Sequence, residues 1–384
     1  MLRPRTQGAL RQSLFTSVFS PVFSSVFGGA GGVAPFSPLS LFASGEEGVW
    51  YEPSTSTCFT DTGGTTPATY GDAVAYLQDK SGNGNHATQG TLTNRPTLAR
   101  VPSTGRRNLL ERSQEFDDAV WTTSFTTVAT TAETPPGSFS GTVYKLAEDS
   151  SSNAHRFWQR GPESLITSQT WTLSVYIKDA GDGRFVQLRA VGVGNGKAWA
   201  TFDPTDGTLT QSGGTDLVGT PTSTAIGDGW YRVEMTSSTD IVNTGDGPDI
   251  TLSNSATGGE IPTYTGDGSS GVYIFGAQFE IGTSATAYQK VVDEYDITET
   301  GVDSLDYLFD DQVDDVLPWA APADTDYTIS YVNTSGTVTT LTSQSLSGAT
   351  DILLDPALVA YVAVDRALTA GETTDLETYL GALA

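Results

Sequence analysis

Short runs in which hydrophobic and polar residues alternate occupy most of the chain. The two-residue period is clearest in WTLSVYIKD (171–179), GWYRVEMTS (229–237) and VYIFGAQFEIG (272–282), and it predicts β-strands with one buried face. In the first run the period places Trp171 on the core face. In the last run it places these residues on one common face: Tyr273, Phe275, Ala277, Phe279 and Ile281.

Turn residues separate these runs. Asp-Gly pairs in DAGDGRF (179–185), IGDGW (226–230) and TGDGSS (265–270) supply positive φ at low cost and predict hairpins. One helix is predicted near the C-terminus, where Thr369 and Glu372 form a capping box. Apolar residues at helical spacing follow it: Leu376, Tyr379, Leu380 and Leu383. The pattern predicts a mainly β protein with a short C-terminal helix.

The first 45 residues differ from the rest. Here LFTSVFSPVFSSVF repeats a phenylalanine every four residues, at Phe15, Phe19, Phe23 and Phe27, before the glycine-rich GGAGG. The segment is either a flexible apolar leader or an anchor that buries the phenylalanines in a partner or between identical chains. We expect the anchor, because contiguous exposed apolar surface usually marks an interface.

The stretch DKSGNGNHATQ (79–89) admits three interpretations. Its spacing imitates half of a calcium loop, but Gly90 stands where the bidentate Glu is required. It also lacks the Lys and Thr of a phosphate-binding loop. We therefore expect a hairpin turn and no metal ligands.

Three stretches resemble laminin-G-like (concanavalin-like) sandwich domains: QDKSGNGNHATQ, YLFDDQVDDVL and AYVAVDRALTAGETTDLETYL. In that family they belong to one continuous domain, whereas about 190 residues separate the first two here. The resemblance implies an inserted domain. It divides the chain into an anchor (1–45), a first sandwich part (46–104), an insert (105–290) and a second sandwich part (291–384).

The insert has a resemblance of its own. RRNLLERSQEFDDAVWTTS and YIFGAQFEIGTSATAYQK resemble the ends of the carbohydrate-binding-module-like jelly rolls common in phage tail and fibre proteins. Together with the anchor, this implies a surface protein of a tailed bacteriophage virion: a tail fibre, spike or head fibre. The predicted fold is two β-sandwiches, one inserted in the other. Fibres commonly have threefold symmetry, so we expect a homotrimer.

Charge and composition narrow the partners. The net charge of −26 repels phosphates, so we expect no nucleic-acid partner. No apolar run has the length of a membrane span, so we expect no membrane insertion. With two histidines, His86 and His155, and the single thiol of Cys58, neither a zinc site nor a nucleophile–His pair is expected, nor any cofactor.

Acidic residues offer one candidate for catalysis. EYDITE (294–299) resembles the catalytic strand of laminarinase-type glycoside hydrolases, which would use Glu294, Asp296 and Glu299. Tyr295 stands where that family prefers a small aliphatic residue, and Glu299 falls on the opposite strand face from the other two. We expect an acidic junction strand and a protein that is not an enzyme.

Sugar binding is the remaining chemistry. Indole and phenol faces stack on sugar rings, and arginine binds hydroxyl groups, so the candidates are Trp158, Trp199, Tyr176 and Arg156. In HRFWQR (155–160) an inward Phe157 would turn Trp158 outward between two arginines. We expect a virion protein anchored to other virion proteins by residues 1–45 that presents its sandwiches to host-surface polysaccharide. The alternatives are a head decoration protein without glycan binding and a polysaccharide depolymerase.

Overall fold

The computed structural model describes residues 35–160, 166–192, 197–242 and 245–384. Contacts divide the chain into residues 1–36 and residues 37–384, and the description below concerns the second unit. The predicted anchor residues Phe15, Phe19, Phe23 and Phe27 lie outside the described residues.

The molecule is mainly β, as the alternation predicts. The strands before the insert are β1 (Gly48–Tyr51), β2 (Cys58–Phe59), β3 (Tyr76–Leu77), β4 (Ala87–Thr88) and β5 (Thr97–Pro102). Those within it are β6 (Thr122–Ser124), β7 (Thr126–Thr130), β8 (Tyr144–Glu148), β9 (Ser152–Asn153), β10 (Arg156–Trp158), β11 (Trp171–Asp179), β12 (Phe185–Val191), β13 (Trp199–Phe202), β14 (Leu209–Gly213), β15 (Leu217–Gly227), β16 (Trp230–Ser237), β17 (Gly247–Ser253), β18 (Tyr264–Thr265) and β19 (Gly271–Ile281). The last elements are β20 (Gln289–Asp293), β21 (Asp296–Glu299), β22 (Ser304–Phe309), β23 (Pro318–Asn333), β24 (Val338–Asp351), β25 (Ala357–Val364) and the helix α1 (Ala370–Gly381), and 3-10 turns lie at Pro38–Phe42 and Leu92–Asn94.

Strands from both ends of the chain share one sheet. Its order is β20-β21-β5-β22-β25-β23-β24, with β1 also on β25. The chain leaves this sheet after β5 and returns to it at β20. A small sheet of β2, β3 and β4 packs over one face, and the core between them includes Tyr51, Trp319 and Tyr361. The exact boundaries of the four predicted segments stay predictions.

The intervening strands form a second sandwich of two six-stranded sheets. One has the order β14-β13-β12-β17-β10-β6 and the other β15-β16-β11-β19-β8-β7. Their facing sides form one apolar core that includes Trp171, as predicted, with Phe157 and Leu188.

A β-bulge in β19 corrects the predicted face of 272–282. Register against β11 shifts between Ser174 and Tyr176, where Gly276 has φ +52°. Beyond the bulge, Ala277 and Phe279 face the sandwich core as the alternation predicts, but Phe275 faces the opposite side. The core side before the bulge carries Val272 and Ile274 instead. The extra residue inverts the alternation, because one inserted position shifts a period of two by half a cycle.

The C-terminal helix confirms its predicted capping box. The Thr369 side chain accepts a hydrogen bond from the Glu372 backbone N–H, and the Glu372 carboxylate accepts one from the Thr369 backbone N–H. Leu376 and Leu380 are buried, as their spacing predicts. None of the described helices has the length and apolar character of a membrane span.

Part of the predicted anchor belongs to the body. The 3-10 turn at Pro38–Phe42 contacts α1, β1 and β25, and its Leu41 is 1% exposed. A segment that buries its apolar side chains in the sandwich is not free to bind another protein through them. The anchor hypothesis therefore concerns the residues that precede this turn.

The stretch 79–89 is a turn organised around one buried carboxylate. Asp79 accepts hydrogen bonds from the backbone N–H groups of Trp50, Ser81 and Asn85 and from the Ser81 hydroxyl. Gly82 and Gly84 have positive φ, which the turn prediction requires of its glycines. The turn fastens β1 to β3, because Asn83 and Asn85 also donate to the carbonyl of Gly48.

Candidate functional site

The outward side of the sheet β14-β13-β12-β17-β10-β6 carries polar and aromatic residues and is called the polar face below. Alternation creates it: Phe157, Leu188 and Ile250 point into the core, so their strand neighbours point outward. Trp158 lies on this face between Arg156 and Arg160, as the sequence of residues 155–160 predicts.

One cross-strand row unites both candidate tryptophans. Trp158 is paired with Asp249, Asp249 with Arg189, and Arg189 with Trp199. Three strand spacings of about 4.8 Å separate the ends of the row, so the two tryptophan backbones are roughly 14 Å apart. The row therefore has two indoles with a charged pair between them.

Asp249 organises the charges of the polar face. Its carboxylate is 0% exposed and accepts hydrogen bonds from three guanidinium groups: Arg156 Nη2 at 2.5 Å, Arg160 Nη1 at 2.6 Å and Arg189 Nη1 at 3.1 Å. Arg189 also donates to Glu260 at 2.9 Å, and Lys197 lies 3.4 Å from the same carboxylate. A buried charge requires such partners, and these hydrogen bonds fix the arginine side chains.

The two indoles are held differently. The guanidinium carbons of Arg156 and Arg160 lie 4.7 and 4.8 Å from the centroid of the Trp158 ring, which is cation–π distance. Trp199 instead lies over the backbone of β14: a Cβ atom added to Gly213 would be 2.8 Å from its Cζ2 atom. The missing side chain at Gly213 lets the Trp199 indole lie along the sheet. Both tryptophans are half-buried.

A second row lies beside the first and is partly covered. Arg156 is paired with Thr251, and Thr251 with Gln187. The Gln187 amide donates to the carbonyl of Gly259 and accepts from the backbone N–H of Ile261, so the loop after β17 closes over this position. The buried Thr251 hydroxyl has no hydrogen-bond partner in the described part of the chain.

Tyr176 lies elsewhere. It is on β11, in the other sheet of the sandwich, and is 3% exposed. Its ring packs against Phe139, Phe275 and Tyr288 in a separate apolar cluster. The sequence period correctly placed Tyr176 away from the main core but could not show that a second aromatic layer covers it. Of the four residues predicted from sequence, the polar face unites Trp158, Trp199 and Arg156.

The sequence gave no sign of the centre of the site. Asp249 and Arg156 are 93 positions apart, and neither Asp249 nor Arg189 stands in a recognisable motif. Only the pairing of β17 with β10 and β12 brings them together. An alternating strand with a charged residue on its outward side was the one available signal.

The acidic residues of 294–299 do not form a carboxylate pair. Glu294 is exposed in the turn before β21, while Asp296 and Glu299 lie at the two ends of that strand. Three residue steps of about 3.4 Å separate those ends, which exceeds the ~5 Å between the carboxyl groups of a retaining glycosidase. Each also has an ion-pair partner, Arg100 for Asp296 and Arg107 for Glu299. Burial opposes the charged form of Glu299, but hydrogen bonds from Gln289, Thr104 and Arg107 hold its pKa below the usual value.

One acidic cluster has the composition of a cation site. Carboxylate oxygens of Asp310, Asp311 and Asp315 lie within 4.8 Å of one another. Burial raises the pKa of Asp310 and of Asp315, and the neighbouring carboxylates act in the same direction. Backbone N–H groups of this loop already donate to the same carboxylates. Exposed acidic loops of this kind are common without a metal, so the cluster does not identify one.

Comparison with known proteins gives only distant likenesses. No family model and no curated protein matches the chain. Among solved structures, the chain is similar to the enzymatically active domain of tailspike protein 4 from bacteriophage CBA120, at 13% identity and a TM-score of 0.26, over 46% of this chain and 21% of that one. It is also similar to the N-terminal CBM22-1-CBM22-2 tandem domain of Paenibacillus barcinonensis Xyn10C, at 10% identity and a TM-score of 0.27, over 69% of this chain and 91% of that one. The chain thus spans about a fifth of the tailspike domain.

The first likeness corrects one prediction from the sequence. We expected a protein that is not an enzyme, yet a solved structure similar to the chain is an enzymatically active tailspike domain. The prediction is therefore withdrawn. At a TM-score of 0.26 the likeness assigns neither a reaction nor a catalytic residue to this chain. Polysaccharide cleavage is accordingly measured beside binding in the experiments below.

Proposed function

We propose that the polar face of the inserted sandwich binds a polysaccharide of the host cell surface. The observation that carries the proposal is the row in which Trp158 and Trp199 flank Asp249 and Arg189. Its two indoles stand on a rigid sheet about three strand spacings apart, which suits a chain of several sugar rings lying across the strands.

The chemistry of the row matches what a sugar chain offers. The faces of an aromatic ring carry negative quadrupole density, which attracts the C–H groups on the apolar side of a sugar ring. The guanidinium N–H groups around Asp249 donate to hydroxyl oxygens. Because Asp249 and Gly213 already hold these side chains in place, little conformational entropy is lost on binding.

The place of the protein in a virion is a separate proposal. It rests on the sequence resemblance of the insert and on the phenylalanine repeat at Phe15, Phe19, Phe23 and Phe27. We propose that these residues join the chain to other virion proteins, and that the chain is a homotrimer displayed on the virion surface as a tail fibre or spike. A head decoration protein that binds no glycan is the alternative.

Deletion of residues 1–34 tests the anchor. This boundary spares the 3-10 turn at Pro38–Phe42, whose side chains belong to the body. The shortened protein should remain folded, with an unchanged circular dichroism spectrum, and should be missing from assembled particles. Normal incorporation of the shortened chain would show that the anchor proposal is wrong.

A polysaccharide panel tests glycan binding by the full chain. Capsular and cell-wall polysaccharides are immobilised, retention is measured by surface plasmon resonance, and new reducing ends are assayed in parallel. Trp199→Ala should weaken retention about tenfold, since stacked aromatic contacts contribute roughly 0.5–1.5 kcal/mol beyond the area they bury. Trp199→Phe should retain most of the affinity, because it keeps an aromatic face.

A variant at a competing surface is the matched control. Phe309 lines a groove of about 350 Å³ together with Glu294 and Tyr307, far from Trp199 in the fold. Phe309→Ala should leave retention unchanged. If Phe309→Ala abolishes retention while Trp199→Ala does not, the site is that groove. If no polysaccharide is retained by the folded protein, the proposed function is wrong.

A further inference from the structure

We infer that the polysaccharide is acidic, and that its carboxylate groups are bound by the arginines around Asp249. This inference rests on the proposed function and names the chemical class of its ligand. It follows from the charge balance of the polar face, which differs from that of the rest of the molecule.

The ion-pair network of the polar face has an excess of positive charge. Its cations are Arg156, Arg160, Arg189 and Lys197, and its carboxylates are Asp249 and Glu260, so the balance is +2. The chain as a whole has a net charge of −26.

Ion pairs elsewhere in the described residues are neutral or acidic. Arg112 faces three carboxylates, those of Glu115, Asp118 and Asp293. Arg184 is shared by Glu148 and Asp267. Other pairs join one cation to one carboxylate, as Arg107 joins Glu299. Stability does not account for a third guanidinium around one buried carboxylate, since Asp249 accepts hydrogen bonds from Arg156 and Arg189 in any case.

Arg160 is the member of the network with the most capacity left. In the described part of the chain its guanidinium donates one hydrogen bond, from Nη1 to Asp249, out of the five N–H donors it carries. Burial lowers the pKa of Arg160, and repulsion from Arg156 and Arg189 acts in the same direction. An added anion at this point would relieve that repulsion. The side chain is 19% exposed, so its outer edge is accessible to a ligand.

Carboxylate is the anion that the geometry suits. A guanidinium group binds a carboxylate through two parallel N–H···O bonds, and the arginines are already oriented by Asp249. The indole of Trp199, in the same row, supplies a stacking surface for the sugar ring that bears such a group. A ligand with a carboxylate on only some of its sugar rings also meets less repulsion from the acidic body than nucleic acid, which carries a phosphate at every residue.

Matched pairs of polysaccharides test the inference. Each acidic polysaccharide of the panel is compared with its carboxyl-reduced form, which has the same backbone and linkages without the charge. The full chain should bind the acidic member at least about tenfold more tightly, because hydrogen bonds between charged partners are worth about twice neutral ones. Its affinity should fall as the sodium chloride concentration rises.

Variants of Arg160 link the preference to the site. Arg160→Gln should remove roughly tenfold of the affinity for the acidic member and leave affinity for the reduced member unchanged. Arg160→Lys should keep part of the preference, because it keeps the charge without the planar fork. Arg112→Gln makes the same change of net charge beside three carboxylates and should leave both affinities unchanged. Melting temperatures check that every variant is folded.

The outcomes separate the two proposals. Equal binding of both members of every pair, or a preference that survives Arg160→Gln, overturns the acidic assignment and leaves glycan binding in place. A loss of preference in Arg112→Gln as large as in Arg160→Gln overturns it too, because the effect would then come from net charge. Absence of binding to every member overturns both proposals together.

Discussion

Trp199 and Gly213 are cross-strand partners, and the indole of the first lies where a side chain of the second would be. A Cβ atom at position 213 would be 2.8 Å from Trp199 Cζ2 and 3.2 Å from Nε1. Gly213 has no positive φ, so its backbone does not demand glycine. The glycine is explained by the aromatic platform that it makes room for.

Gly213→Ala should therefore weaken polysaccharide binding without unfolding the sheet. The added methyl group forces the Trp199 indole to tilt away from β14, which disturbs the stacking surface. We expect a loss of affinity of about threefold to tenfold, comparable to part of one aromatic stacking contact. Isothermal titration calorimetry on the full chain measures it. Gly90→Ala is the control, because a Cβ atom there meets nothing within 4 Å; equal affinities of the two variants would contradict the platform.

Asp249→Asn should destabilise the protein strongly. It removes the charge that pairs with Arg156, Arg160 and Arg189 while the side chain stays buried. Loss of one partner from a buried ion pair costs about 3 kcal/mol in the free energy of unfolding. Urea denaturation monitored by tryptophan fluorescence checks this value.

An exposed acidic residue provides the comparison for Asp249. Asp118→Asn should cost less than about 1 kcal/mol, since Asp118 is 34% exposed and lies 3.7 Å from its partner Arg112. If both variants lose the same small amount, Asp249 does not organise the face as described.

Gly276→Ala tests the bulge that inverts the alternation of β19. The φ of +52° and a contact of 3.0 Å between the added Cβ and Tyr288 Cζ both disfavour any side chain. We expect a loss of about 1–3 kcal/mol in the free energy of unfolding. Gly371→Ala, in α1 with open space around it, should have no such cost. A fully stable Gly276→Ala protein would show that the bulge is absent.

The cap of α1 should depend on pH. Hydrogen bonds from Arg366 and Thr369 lower the pKa of Glu372 from its ordinary 4.5 to about 2. A carboxylate whose pKa is lower in the folded state stabilises the fold above its unfolded pKa and loses that contribution as pH falls through the folded value. Glu372→Gln should thus cost about 0.5–1 kcal/mol near pH 7, a modest value because the pair is partly exposed.

The difference between the wild-type protein and Glu372→Gln should shrink progressively from about pH 5 towards pH 2. Chemical denaturation at several pH values measures it. A difference that stays constant over this range would exclude the charge of Glu372 as its source.

The sequence predicts elements better than their assembly. Alternation correctly assigned Trp171 to the core and turned Trp158 outward, and the residues of the capping box located α1, because these signals are local. The bulge at Gly276 escaped prediction because a single glycine inside a strand pattern does not reveal its φ.

Non-local pairing explains what could not be predicted about the site. Asp249 and Arg189 meet Trp158 and Trp199 only through the strand order β13-β12-β17-β10, which no local pattern encodes. Tyr176 illustrates the converse, since its position off the main core face was predictable while the aromatic cluster that covers it comes from β19 and two loops.

The most direct test of the account is the affinity of the double variant Trp158→Ala/Trp199→Ala for the polysaccharide that the wild-type full chain binds. Calorimetric titration of both proteins, after their melting temperatures have been compared, should show binding by the wild type and a loss of at least about a hundredfold in the double variant, the product of two stacking contacts. Wild-type affinity in a folded double variant would contradict the assignment of the polar face as the glycan-binding site.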